Sequence, residues 1–357
     1  MTSTRRSLFF FSCWQLLVGL PLCQHLLSST SYLKSQNLWD ACTEGNHALV
    51  ELILGRFQDA NVNWVGPENG DTPLHRACRL GHLQVVEILL RHSQVNVNAG
   101  NDKLATPLLV ACQEGHVEVV KLLFAYPRVD VNLPQNGGYT PFFMACQSGY
   151  KEVVSLLLGD SRIDVEKPAN GGQTPFFAAC YQGLTEVVSM LLADQRIDAN
   201  TPASEGVTPF SIACQLGHLE VVSLLLADLR VDVNKPDNAQ RTPLWFASQG
   251  GHLPVVQLIL ASGREVDTKT MSISGPSDWN EKTAAEIARG QEVKPREDHE
   301  LEEDFTRRQQ NGPLIAALLD TFEDDPATTR QQLRIVFESR HSFCDLTCPE
   351  GRGASCL

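Results

Sequence analysis

Five cysteines, Cys78, Cys112, Cys146, Cys180 and Cys214, recur every 34 residues, and Cys42 holds the same place in an earlier, looser copy. A thiol so placed could attack a substrate, hold a metal or fill space. Nucleophilic attack needs one thiolate activated by a neighbouring base, which a ladder of equivalent copies does not supply. Neighbouring copies of a stacked helical unit lie roughly 10 Å apart, whereas a disulfide needs Cα atoms within about 7 Å. The ladder therefore reads as reduced thiols packed as small hydrophobes.

Other residue types of chemical interest fall away on similar grounds. His82, His116, His218 and His252 each follow a glycine (or a glycine-like turn) at one repeated place, which marks them as structural. His341, Cys344, Cys348 and Cys356 give a C-x3-C spacing within the range of a zinc half-site, but no second regular pair completes it. No phosphate-binding G-x-x-x-x-G-K-[ST], zinc-protease H-E-x-x-H or hydrolase G-x-S-x-G is present. The expectation is a chain that is not an enzyme and carries no cofactor or metal.

The elements that hold these cysteines repeat with them. Thr-Pro pairs begin at Thr72, Thr106, Thr140, Thr174, Thr208 and Thr242, heading stretches such as "TPLHRACRLGHLQVVEILL" and "TPFFMACQSGYKEVVSLLL". Each threonine is placed to cap a helix whose first residue is proline, where the missing N–H costs nothing. Gly81 permits the reversal that ends the first such helix. In the second helix, Val85, Val86, Leu89 and Leu90 make two adjoining apolar faces, which must be covered on both sides. A helix of roughly eight residues is marginal alone. One unit is stable only when neighbours stack on it.

These residues resemble the ankyrin repeat, whose pattern T-P-L-H-x-A is matched by "TPLHRA". The likeness is close from Thr72 to about Ser262 and extends weakly to "LWDACTEGNHALVELILG" and "KTAAEIARG". The period is 34 rather than the usual 33 residues, the extra residue falling after the second helix near Ser93. The family's loop histidine persists as His75, while Leu109, Phe143, Phe177, Ser211 and Trp245 replace it.

The fold expected is an all-α repeat solenoid of stacked helix-turn-helix units joined by β-hairpin-like loops. Its segments are a hydrophobic leader (1–36), a divergent first unit (37–71), six repeats (72–275) and a truncated unit (276–291). An acidic linker (292–312), a short helical cap (313–340) and a cysteine-containing tail expected to be disordered (341–357) complete it. Between 291 and 325 stand 11 acidic and 4 basic residues, a net of −7 within the chain's −13. Such a balance offers no basic stripe for nucleic acid.

Residues 7–27, "SLFFFSCWQLLVGLPLCQHLL", follow Arg5–Arg6 and read as a signal-like core, an anchor, or a structural, non-native or disordered leader that resembles one. Gln15, Gly19 and Pro21 interrupt them, which is poor for a span. The reduced cysteines point to the cytoplasm, with a membrane-tethered protein as the alternative.

The resemblance implies recognition of a protein partner through the loop tips and the exposed face of the first helices. By position the tips are Asp71, Ala105, Tyr139, Gln173, Val207 and Arg241, and the helix positions Arg79, Glu114, Gln147, Tyr181, Gln215 and Gln249. Tyr139, Gln147, Gln173, Tyr181 and Arg241 suit interface anchors. Phe143, Phe177 and Trp245 either extend that patch or pack between loops. The function implied is a binding scaffold or adaptor, the remaining alternative being a regulatory subunit of an enzyme.

Overall fold

The computed structural model describes residues 31–57, 59–273, 280–291 and 300–347. The leader stretch 7–27, Cys348 and Cys356 lie outside them, as do the side chains of His341 and Cys344. Among the described residues no helix is long and apolar enough to cross a membrane. The chain divides into two compact units, residues 1–136 and 137–357.

Among the described residues the first unit holds three helix pairs: α1 (Ser31–Glu44) with α2 (His47–Arg56), α3 (Pro73–Arg79) with α4 (Leu83–Arg91), and α5 (Pro107–Glu114) with α6 (Val117–Phe124). The second unit continues with α7 (Pro141–Ser148) and α8 (Lys151–Leu158), α9 (Pro175–Tyr181) and α10 (Thr185–Ala193), α11 (Pro209–Leu216) and α12 (Leu219–Ala227), then α13 (Pro243–Gln249) and α14 (Leu253–Ala261). It ends in α15 (Ala284–Gly290), α16 (Glu302–Asp324) and α17 (Pro326–Thr347).

The caps follow the Thr-Pro pairs. The hydroxyls of Thr72, Thr106, Thr140, Thr174, Thr208 and Thr242 each accept the backbone N–H three residues on, with proline at the first helical position. A cap of this kind is worth about 1 kcal/mol. At the start of the second helices the histidines spend their rings on the neighbouring pair instead. His116 Nε2 donates to the Arg79 carbonyl at 2.8 Å, His218 to Tyr181 at 2.9 Å and His252 to Gln215 at 2.9 Å.

Within each unit the first helices stack in order, α1 on α3 on α5, and α7 on α9 on α11 on α13 on α15. The apolar faces so covered contain Val85, Val86, Leu89, Val153, Val154, Leu157, Val187, Val188 and Leu191, all buried. Cys42, Cys78, Cys112, Cys146, Cys180 and Cys214 are buried, and none of the six forms a disulfide.

The connecting loops contain no β-strand among the described residues, yet they link like fingers. In the second unit Asn170 N–H donates to the Gly137 carbonyl at 2.7 Å, Ser204 to Gly171 at 2.8 Å, and Asn238 to Glu205 at 2.8 Å. Asn69, Leu104, Glu205 and Gln240 take left-handed φ angles of 56° to 64° at these tips, which a residue with a Cβ adopts only at a cost.

Beyond the repeats several segments differ from the sequence reading. Helix α1 begins at Ser31, inside the stretch read as a leader. Residues 302–312, read as linker, form the first half of α16. Glu302, Glu303 and Asp304 lie in its first turn, where acidic side chains meet the positive end of the helix dipole; these three, read as linker, are a helix start. Helix α17 runs on to Thr347, into the stretch expected to be a disordered tail.

The helices α16 and α17 take the contacts of a further repeat. Arg307 Nε donates to the Gly250 carbonyl at 3.1 Å and Asn311 Nδ2 to Gly251 at 2.9 Å. Arg330 Nε donates to Leu260 at 3.3 Å, and Arg334 Nε to Ala261 at 3.1 Å. Because a backbone carbonyl accepts from any suitably aimed donor, a sequence without the repeat pattern closes the stack.

Candidate partner-binding face

The loop tips and first helices of the two units have different chemistry. In the first unit the charged side chains of this face are tied up internally. Asp71, with a fully buried side chain, holds Arg79 Nε at 3.0 Å, and Arg79 reaches Glu114 at 3.4 Å. Arg76 bonds Glu68 at 3.0 Å and its guanidinium lies 4.9 Å over the Trp39 ring. Ala105, a predicted tip, is buried; its carbonyl accepts His75 Nε2 at 2.8 Å, the bond that this one retained loop histidine makes. The position in register with Gln147 is Gln113; Glu114, named from the sequence, is one residue further on.

All eight residues singled out as binding candidates lie in the second unit. Tyr181, at the end of α9, is 48% exposed. Gln147, Gln215 and Gln249 are half-buried at the matching place on α7, α11 and α13, and Tyr139 and Gln173 are half-buried at loop tips. Tyr139 leans on Phe143, ring centroids 5.0 Å apart.

The alternative raised for the aromatic slot is the one observed. Phe143, Phe177 and Trp245 are buried, at 2%, 6% and 1% exposure. So buried, they leave almost no ring area to offer as a contact surface, and each removes that area from water within the fold. Trp245 packs with Phe246 and Ile287, and Val207 covers that cluster. Arg241 is likewise committed. Its Nε bonds the buried Asp237 at 2.7 Å and its guanidinium lies 4.9 Å over Phe246. It holds the loop shut and keeps its charge paired.

Two features were missed by the sequence reading. Leu216 is 39% exposed one residue past Gln215, a place the repeat register could have flagged. A groove of about 400 Å³ also opens where Gln215, Leu216 and Gln249 meet Glu300, Asp304, Arg307 and Arg308. Its second wall comes from α16, outside the repeats, so no spacing rule predicts it.

The titratable groups nearby serve structure. Burial, then the positive charge of Arg307, lowers His252 to about 4, so this ring is neutral as it donates to Gln215. Burial pushes the Cys78, Cys112, Cys180 and Cys214 thiols up, the opposite of what a nucleophile needs. Among the described residues no cluster of three or more His, Cys, Asp or Glu could hold a metal ion.

A family model described as ankyrin repeats matches in three copies, over residues 38–135, 127–203 and 196–270. Among curated proteins, none matches the chain.

Proposed function

The chain belongs to the ankyrin repeat family, and on that premise we propose that it is an adaptor that grips a protein partner on the loop-and-first-helix face of residues 137–250. Ankyrin repeats are generally protein–protein interaction modules. The observation that carries the placement is Tyr181, an amphipathic aromatic 48% exposed at the middle of a row of glutamines, while the corresponding face of the first unit is occupied by its own ion pairs. Tyrosine contributes large contact area with few rotatable bonds, which is why it anchors interfaces.

The test is photo-crosslinking from two positions of the full chain. A photoreactive side chain at Tyr181 is expected to capture the partner, and one at Leu229, which is 82% exposed on the turn after α12, to capture none. The purified partner should then bind the Tyr181→Ala chain at least about tenfold more weakly. Capture from Leu229 alone, or unchanged affinity in Tyr181→Ala, overturns the assignment.

A further inference from the structure

The side chains seven residues after each threonine cap of the second unit are Gln147, Tyr181, Gln215 and Gln249. No hydrogen bond engages the side-chain amides of the three glutamines, or the Tyr181 hydroxyl, with the rest of the described chain. A primary amide offers two N–H donors and a carbonyl acceptor on one rigid group. Three of them, free and in register, form a ladder of neutral hydrogen-bonding groups.

The spacing of that ladder is set by the stack. Helices α7, α9, α11 and α13 pack successively, so the rungs step by one helix-to-helix distance, roughly 8–10 Å. A polyproline-type strand has three residues per turn and rises about 3.1 Å per residue. It therefore shows the same backbone groups about every 9 Å, in step with the rungs. An α-helix repeats about every 5.4 Å and would be out of step.

The charge of the face narrows the partner further. The chain carries a net −13, yet none of these four rungs is charged. Arg241 is neutralised by Asp237, and Gln173 and Val207 are uncharged tips. Glu205 stands exposed at the edge of the fingers. The charges beside Gln215 and Gln249 are paired with one another, Arg307 with Asp304 at 2.7 Å and Arg308 with Glu300, so a charged ligand would lose its water here and find no unpaired counter-charge along the row.

We propose that this row takes an extended, uncharged segment of a protein partner in polyproline-type conformation. The four rungs meet it every third residue: Gln147, Gln215 and Gln249 pair with its main chain, and Tyr181, the rung between Gln147 and Gln215, stacks on a ring or proline of the segment. The inference rests on the reading of this face as the binding site, and the experiment separates the two.

A phage library of random dodecapeptides is selected on the full chain and counter-selected on a Gln147→Glu, Gln215→Glu, Gln249→Glu chain. The expected winners have net charge near zero and prefer proline or aromatic residues three apart. Their affinity should fall by about tenfold in Tyr181→Ala and change by less than about twofold between roughly 50 and 500 mM salt. A Gln→Ala triple variant should weaken them as the Glu variant does. Winners that need the face but are strongly charged, salt-sensitive or spaced three-to-four as a helix overturn this inference and leave the face assignment standing. Winners indifferent to every face substitution, or no enrichment at all, overturn both.

Discussion

Arg330 Nε donates to the carbonyl of Leu260 at 3.3 Å, and in doing so fills a rung that the repeats fill for themselves. Arg264 Nη1 reaches Leu226 at 3.3 Å, Arg196 Nη2 reaches Leu158 at 2.7 Å, and Arg230 takes the carbonyl of Leu192. Each acceptor lies in the last turn of a second helix, where carbonyls lack intrahelical partners and a cation is favoured by the helix dipole.

Replacing Arg330 with methionine keeps most of the stem and removes the donors. The account expects a loss of about 1–2 kcal/mol, concentrated at the C-terminal end. Amide hydrogen exchange should speed up in α14 and α17 and be unchanged in α9. Uniform acceleration across the unit would mean that Arg330 is not a local closure.

Glu166 occupies a slot that asparagine holds elsewhere. Asn200 Nδ2 donates to the Arg230 carbonyl at 2.7 Å while its Oδ1 accepts Asp232 N–H at 2.7 Å. Glu166 makes only the accepting half, from Asp198 N–H at 3.2 Å and Thr201 Oγ1. Burial, with the nearby Asp198 charge, raises its pKa above the ordinary value. Glu166→Asn should stabilise by about 1 kcal/mol at neutral pH by adding the donor toward the Arg196 carbonyl. Since the folded state holds the Glu166 proton more tightly than the unfolded chain, acid relieves the wild type, and the advantage should narrow as pH falls through the raised pKa. Urea melts at neutral and acidic pH read both effects.

For His252 the sign is opposite. Its pKa falls from 6.5 to about 4 on folding, so the unfolded chain takes up a proton that the folded one refuses. The two states do not differ in this above pH 6.5; below it, stability declines as pH drops toward 4, by about 3 kcal/mol at most. His252→Gln keeps an N–H donor for Gln215 and should flatten that decline. A melting temperature that falls equally in both chains between pH 7 and 5 would contradict the assignment.

The buried thiols give a further check. Cys146, at 0% exposure, should react with a disulfide reagent only through opening of the stack, so its labelling rate should track denaturant. A native-state rate equal to that of a free thiol would mean that the ladder is not packed.

Much of this was legible in the sequence, and the reasons are local. The Thr-Pro register carries its own physics, cap and first-turn proline, and the structure repeats it at each of the six pairs. The valine–leucine run implies burial on two sides. The fate of Phe143 stayed open because an aromatic ring serves an interface or a core equally well until its neighbours are placed. The closure by α16 and α17 was not legible in detail. Its acceptors are main-chain carbonyls, which have no sequence signature, and the acidic first turn of α16 reads as solvated linker. Glu114 was misplaced although the sequence held the answer: seven residues after Thr106, and two before Gly115, stands Gln113.

The measurement closest to the central claim is a heteronuclear spectrum of the side-chain amides. Titrating the purified partner into labelled full-length chain should shift the NH₂ resonances of Gln147, Gln215 and Gln249 together, with Gln257 on α14 unmoved. Binding that leaves those three resonances in place, while others move, would contradict the account.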